Sequence, residues 1–399
     1  MERLRIAMVC DIIPGYPAGA AVSTIRFAER LRDNGHHVIL IVAKDSKKPG
    51  VHAYNGIPIY SYFSIPVPGS NHHYFQSFPT KRSLEELFIR EKIQIVHVMF
   101  PSYLCFIAKK AARKLGLGLV AHLHAQPQSI EIFLPRILQT SFVSNLLFRY
   151  IIGFIRDSDY ILSPSEFGKD LYTRNKYSPA ITVISNGIDL TIFNKGAIAD
   201  STQSTQEDST VMLYVGRQSK EKDPATIIRA MPTLIRNLPS LMVRMVGIGP
   251  MEQELVELSK SLGVESHICF LGRVSDSQLL KEYLGASLFV FPSLVELEGM
   301  AVLEAMAYGL PLLIANSPTS ASPYFIRGNG LLFAPGDEND LALKALTILK
   351  DKKLRIQMSN TSLELVQGYA IERSVKKLED VYYSVAASPR RKELAERVF

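Results

Sequence analysis

The chain has 399 residues, too many for one ordinary core and about right for two domains; 47% hydrophobic and 21% charged residues are a globular composition with ample material to bury. Its net charge of +7 is uneven: residues 1–195 carry 23 Lys and Arg against 14 Asp and Glu, a balance of +9, while the remainder carries 22 against 24. No nucleic-acid motif accompanies the basic half and no stretch has eighteen uncharged apolar residues, so nucleic acid and a transmembrane helix are set aside; an anionic membrane surface and a merely solvated basic face both remain.

The N-terminus, "MERLRIAMVC", has charge and then a short apolar run, which predicts a first strand and not a signal peptide. "VSTIRFAERLRDNG" predicts an amphipathic helix closed by Gly35. "HVILIVA", "IQIVHVM", "GLVAHLH" and "DYILSPS" follow as short apolar runs, most with helical patterns between them. Buried parallel strands read this way. Cys10, Cys105 and Cys269 lie far apart in no metal spacing, which predicts buried free thiols in a reducing, cytoplasmic setting.

Phe133 to Arg156 is broadly apolar, with Arg136, Arg149 and Arg156 along it and a narrow less-apolar stripe at Ser141, Asn145, Arg149, Gly153 and Arg156. The pattern fits a helix lying at a membrane surface and equally a core helix. "NHHYFQSFPTKR", before it, reads as an exposed aromatic and basic loop. Lys195 to Thr210 has no aromatics and is mostly small or polar, the best linker in the chain. A second strand–helix series follows: "VMLYVG", "LMVRMVG", "ICFLG" and "LFVFPS" with helices between. The expected class is α/β, with two Rossmann-like domains, 1–195 and 205–370, facing each other across a cleft.

Arg217 and Lys222 stand in the loop after "LYVG", just before a helix, where cations and helix N–H groups together suit an anion such as a diphosphate. Gly247 and Gly249 follow the next strand. They let backbone approach a ligand, or they serve a tight turn; the third glycine of a dinucleotide fingerprint is Glu252, which argues against a nicotinamide oxidoreductase. Glu296 precedes a helix beginning near Gly299, and Glu304 lies about a turn into it. Such a pair can accept hydrogen bonds from sugar hydroxyls, or be a solvated loop acid and a dipole-favoured helix acid.

Taken together, "PSLVELEGMAVLEAMAYGLP", "GRQSKEK", "VGIGPMEQEL", "VISNGIDLTIF" and "PAGAAVS" resemble, in the right order, the motifs of the family 4 retaining glycosyltransferases of GT-B fold. The resemblance implies that Glu304 holds the nucleotide ribose, Glu296 contacts the donor sugar, and Arg217 and Lys222 neutralise the departing diphosphate. Gly247, Gly249 and the helix start Gly299, Met300, Ala301 and Val302 would bind the nucleotide sugar. It also implies that Gly19 lets the first loop approach phosphate, that His124 faces the sugar with His122 second in line, and that a C-terminal helix, about 371–399, crosses back to the first domain. No metal and no cofactor are expected; Asp157-Ser158-Asp159 reads as loop acids. Glu298 departs from the family pattern and either alters donor choice or faces solvent. The implied reaction is retaining transfer from a UDP- or GDP-sugar to an acceptor hydroxyl. A membrane lipid or lipid-linked glycan is the favoured acceptor and a soluble sugar the alternative; the basic first half is the expected contact with anionic membrane.

Overall fold

The computed structural model describes residues 3–11, 19–44, 50–67, 75–131, 134, 136–175, 180–191 and 210–388, the side chains of Val51, Ile130 and Arg136 excepted. Most of the expected linker, part of "PAGAAVS", and the start of "NHHYFQSFPTKR" lie outside these residues. The chain forms two units: residues 1–127, 140–187 and 371–399, and residues 128–139 and 188–370.

In the first unit the strands are β1 (Arg5–Cys10), β2 (His37–Ala43), β3 (Gly50–Tyr54), β4 (Ile57–Tyr62), β5 (Ser64–Pro66), β6 (Phe75–Ser77), β7 (Ile95–Val98), β8 (Gly118–His122), β9 (Tyr160–Ser163) and β10 (Ile181–Val183). Eight form one sheet in the order β10-β9-β8-β7-β1-β2-β4-β3, parallel except for the edge hairpin β3–β4; β5 and β6 make a separate hairpin. Neighbouring residues of one strand serve opposite faces, as the pleat demands. Ala7 and Val9 join a cluster with helix Tyr103–Lys114. Ile6, Met8 and Cys10 join another with helix Gly19–Asp33 and helix Ile371–Ala386. That last helix gives Ile371, Val375, Leu378, Val381 and Tyr382 to the cluster, and the Tyr382 hydroxyl lies 2.6 Å from His97 Nδ1. Gly187 makes room for the helix start: at φ +70°, a Cβ there would lie 2.8 Å from the Ile371 Cα.

In the second unit β11 (Val211–Val215), β12 (Met242–Val246), β13 (Ile268–Gly272), β14 (Leu288–Phe291), β15 (Leu312–Ala315) and β16 (Gly330–Phe333) form a parallel sheet in the order β13-β12-β11-β14-β15-β16. The central strands β11, β14 and β15 are almost wholly buried, so they read as unbroken apolar runs and not as alternation. Each sheet starts at its middle strand, winds outward, and returns on the other side. The reversals fall between β1 and β7 and between β11 and β14. Open parallel sheets bind ligands at the carboxyl ends of strands flanking such a reversal.

Candidate functional site

The reversal in the second unit is where the chemistry-bearing residues gather. After β11 the chain makes a loop, Gly216 to Ser219, and a single turn of 3₁₀ helix, Lys220–Lys222, before helix Ala225–Asn237. The loop is fixed from below: the buried Tyr214 hydroxyl donates to the Arg217 carbonyl at 2.7 Å. It is also bonded to the loop after β12. Gln218 N donates to the Ile248 carbonyl at 3.2 Å, Gln218 Nε2 to the Gly247 carbonyl at 2.9 Å, and Met251 N to the Gln218 carbonyl at 3.0 Å.

This explains the two glycines. A Cβ at Gly247, where φ is +124°, would lie 2.0 Å from the Gly216 carbonyl oxygen, and one at Gly249 would lie 2.2 Å from that of Gln218. The close approach that these positions permit in the structure is of one loop to another, as the tight-turn reading expects. Helix Glu252–Ser261 then starts at the residue where a dinucleotide fingerprint would have glycine.

Across the reversal, β14 is followed by Pro292 and Ser293. Lys222 Nζ donates to Glu296 Oε1, and Ser293 Oγ donates to the same oxygen at 2.8 Å. Leu294 N donates to the Glu221 carbonyl at 2.8 Å, tying the β14 loop to the β11 loop. The Lys222 and Glu296 side chains are both largely but not wholly buried. An ion pair so placed is oriented by its surroundings, and removing one member strands the other charge. Thus the two residues assigned above to a diphosphate and to a sugar are brought together, with Ser293 as an additional holder of Glu296.

Gly299 caps helix Met300–Ala307 with φ +95°, a left-handed conformation that favours glycine, and a Cβ there would sit 2.8 Å from Ser322 Oγ. Met300, Ala301 and Val302 form the first turn, whose N–H groups are the ones a helix leaves for outside acceptors; the Val302 N–H is already turned back to the Gly299 carbonyl at 3.0 Å. Glu304 follows one turn on, half-buried, and accepts the Tyr283 hydroxyl at 3.1 Å. Tyr283 stacks on Tyr308, rings 5.0 Å apart. Burial, with the Glu304 charge adding to it, pushes the Tyr308 phenol up to about 12, so it stays protonated. Tyr283 comes from a helix far away in sequence, and no local spacing announces it. Glu298 does not face solvent: it is 4% exposed, and its charge reaches Tyr369, whose phenol is raised mainly by burial.

In the first unit Gly19 begins helix Gly19–Asp33, and among the described residues nothing lies within 4 Å of where its Cβ would point. His124 lies two residues beyond β8. It heads a column of rings: His122 is 4.3 Å from it, and His97 is stacked on His122 at 5.6 Å. Burial holds His97 and His124 down at about 3 and His122 well below the ordinary range, so the whole column is neutral. His122 is sealed in the core. Asp157 pairs with Arg113 at 3.2 Å and Asp159 accepts the Leu119 N–H at 2.8 Å, so these acids serve the loop. Among the described residues no three His, Cys, Asp or Glu side chains are gathered for a metal ion.

The sequence profile of the glycosyl transferases group 1 matches residues 198–364, and that of glycosyltransferase family 4 matches residues 17–192. The chain belongs to glycosyltransferase family 4. Relatives of this family 4 glycosyltransferase include the sulfoquinovosyl transferase SQD2 of Arabidopsis thaliana, 26% identical over 96% of this chain and 74% of that protein. The alpha-monoglucosyldiacylglycerol synthase of Streptococcus pneumoniae is 24% identical over 96% of this chain and 87% of that protein. Among solved structures, Anabaena HepE in complex with UDP superposes with a TM-score of 0.74 at 18% identity, over 96% of this chain and all of that one. The fold is GT-B. Membership disposes of the oxidoreductase alternative, in agreement with the glycines that admit a loop.

Proposed function

We propose that this glycosyltransferase is a retaining, metal-independent enzyme that moves a sugar from a UDP- or GDP-linked donor to a hydroxyl of a membrane lipid or lipid-linked glycan, at the cytoplasmic face. The observation that carries the reading is the Lys222–Glu296 pair set across the β11–β14 reversal, with Glu304 on the helix that follows. The UDP of HepE and the monoglucosyldiacylglycerol named for the Streptococcus relative support donor and acceptor class.

In this reading Glu304, steadied by Tyr283, accepts the ribose hydroxyls. Glu296 accepts sugar hydroxyls, and Arg217 and Lys222 face the diphosphate, with Gly299, Met300, Ala301 and Val302 alongside. As the bond from the anomeric carbon to the phosphate oxygen breaks, charge accumulates on the diphosphate, and fixed cations there stabilise the transition state more than the ground state. The acceptor oxygen attacks the face the leaving group vacates, and its proton passes to a diphosphate oxygen. His124, neutral, offers a hydrogen bond to a sugar hydroxyl; Gly19 leaves room for phosphate at the start of its helix.

A screen of UDP- and GDP-sugars for slow donor hydrolysis tests the donor without knowledge of the acceptor. Release of the nucleoside diphosphate from one donor, undiminished by a chelator, and a product with the donor's anomeric configuration are expected. Chelator-abolished turnover or inverted product would overturn the corresponding part. Transfer to a soluble sugar but not to lipid extracts would select the alternative acceptor.

A further inference from the structure

Helix Ser141–Ile155 turns Phe148, Ile151, Phe154 and Ile155 inward. It nevertheless leaves Phe142 76%, Leu146 57% and Tyr150 46% exposed. These three are spaced by four, so they form one outward row. The row runs on past the helix: the Tyr150 ring lies 5.5 Å from Phe106, which shares a helix and a face with Tyr103. Tyr103 is 5.8 Å from Phe78, and Phe78 is 6.3 Å from Phe63; all three are exposed. Two elements remote in sequence thus share a single apolar surface, larger than scattered exposed side chains would make.

The hairpin end of this surface is held rigidly. The buried carboxylate of Asp11, at the end of β1, accepts the Ser77 N–H at 3.0 Å, Gln76 Nε2 at 3.3 Å and the Ser77 hydroxyl, and Ser64 and Ser77 share a hydroxyl contact of 2.7 Å. Phe63 and Phe78 flank these anchored residues. An exposed aromatic carried on a polar anchor inside the fold is presented outward and does not collapse onto the core.

Charge selects the occupant. From Ile132 to Arg156 the sequence has three arginines and no acid. Arg149 and Arg156 are exposed beside the apolar row, and no carboxylate among the described residues forms an ion pair with either; Asp157, next to Arg156, pairs with Arg113. By contrast, the exposed cations Lys81, Arg82 and Lys114 of the neighbouring helices all pair with Glu85 or Glu86. Basic residues without an ion pair among the described residues, flanking an exposed apolar row, match a surface that offers hydrocarbon at one depth and phosphate just above it.

We propose that the first unit docks on an anionic lipid bilayer through this two-part surface, the outer row of helix Ser141–Ile155 and the Phe63–Phe78–Tyr103 cluster entering the hydrocarbon boundary while Arg149 and Arg156 meet lipid phosphates. The proposal deepens the lipid-acceptor reading and rests on it for its purpose, but binding is measured apart from transfer.

The full-length protein is sedimented with vesicles of phosphatidylcholine alone and of phosphatidylcholine mixed with phosphatidylglycerol. Wild type is expected on the anionic vesicles and to weaken with salt as the Debye length falls from ~10 Å at 0.1 M to ~3 Å at 1 M. Replacing Arg149 and Arg156 by glutamine should weaken anionic-vesicle binding about fivefold for each arginine, from a contribution of about 1 kcal/mol per basic residue. The pairs Phe142→Ser/Leu146→Ser and Phe63→Ser/Phe78→Ser should each release the protein at both salts. Nucleotide affinity and donor hydrolysis should be unchanged in all three variants, which also shows that they fold. Equal sedimentation of wild type and variants, none by wild type, or loss of the hairpin cluster without effect would overturn the proposal. So would a change from dimer to monomer in Phe142→Ser/Leu146→Ser with vesicle binding intact, which would assign the surface to a second copy. If vesicles bind as expected but no sugar nucleotide is hydrolysed, the docking surface stands and the donor reading falls.

Discussion

The two sheets are built alike and are furnished differently at their reversals. In the second unit the loops after β11 and β14 bring a lysine and a serine onto one glutamate oxygen, with an arginine in the loop after β11. In the first unit the groups near the ends of β7 and β8 are imidazoles that burial keeps neutral, backed by a tyrosine hydroxyl from the C-terminal helix. The same topology therefore supplies charge on one side and packed neutral polarity on the other. On the reading proposed above, charge acts on a diphosphate, whereas the buried rings of His97 and His122 hold shape; substitution at the first should show in turnover and at the second in stability.

The largest effect expected from breaking the contrast is at Tyr382. It is fully buried and bonded to His97, so Tyr382→Ala should cost about 3–5 kcal/mol of stability, as other large-to-small aromatic truncations do. Chemical denaturation measures it; nucleotide affinity in the folded variant should match wild type, and a weakened nucleotide with full stability would reverse the assignment of roles. Next, Lys222→Ala should slow turnover about 10²–10³-fold, the scale of losing one preorganised transition-state contact. Steady-state rates set beside calorimetric donor affinity decide it: full turnover on a hydrolysable sugar nucleotide would remove Lys222 from the chemistry.

Glu304→Ala should weaken nucleoside diphosphate binding by about 1.5–3 kcal/mol for each hydrogen bond to the charged group that is lost. Calorimetry reading an unchanged affinity in a folded variant would free Glu304 of the ribose. A further expectation is a slope with pH. His97 and His124, held at about 3, and His122, also lowered, stay unprotonated in the fold while the unfolded chain takes up protons below the ordinary 6.5. Their contribution is complete above that value and is lost as pH falls toward 3, at about 1.4 kcal/mol per pH unit for each. Asp11, raised to about 6 by burial, acts oppositely and offsets one of the three between 6 and 3.8. Urea midpoints of the first unit at pH 7 and pH 5 should differ, and His122→Phe should narrow the gap; a wild-type midpoint that ignores pH would contradict the neutral column.

The strands buried on both faces were legible, because a run such as "HVILIVA" is apolar throughout and became β2 over those same residues. The edge hairpin β3–β4 was not, since its outer strands alternate and carry Pro58. Its one local signal is Asn55-Gly56, whose φ values of 49° and 79° suit a two-residue hairpin turn, and which apolar periodicity does not report. At the site, Glu296 and Glu304 stood out only through the resemblance, as spacing alone fits a solvated acid equally well. Ser293 and Gln218 act through contacts that close only when the β11, β12 and β14 loops meet, and Tyr283 through one that closes only when its helix packs beside that of Glu304. Gly247 and Gly249 were visible as glycines, but what they make room for depends on a neighbouring loop. Glu298 was legible as an oddity and not as a buried residue.

The helix from Ile371 to Ala386 completes an apolar cluster begun by Leu4, Ile6 and Met8. The second unit is contiguous from 188 to 370 apart from residues 128–139. On the ribosome, then, the strands made first wait almost to the end for the helix that covers them, while the unit made later can close before them. Domains ordinarily finish in the order of their synthesis; here the order is reversed. A chain halted near residue 370 would carry a finished second unit beside strands whose apolar face still lacks that helix, and that species is the one a chaperone or protease would meet.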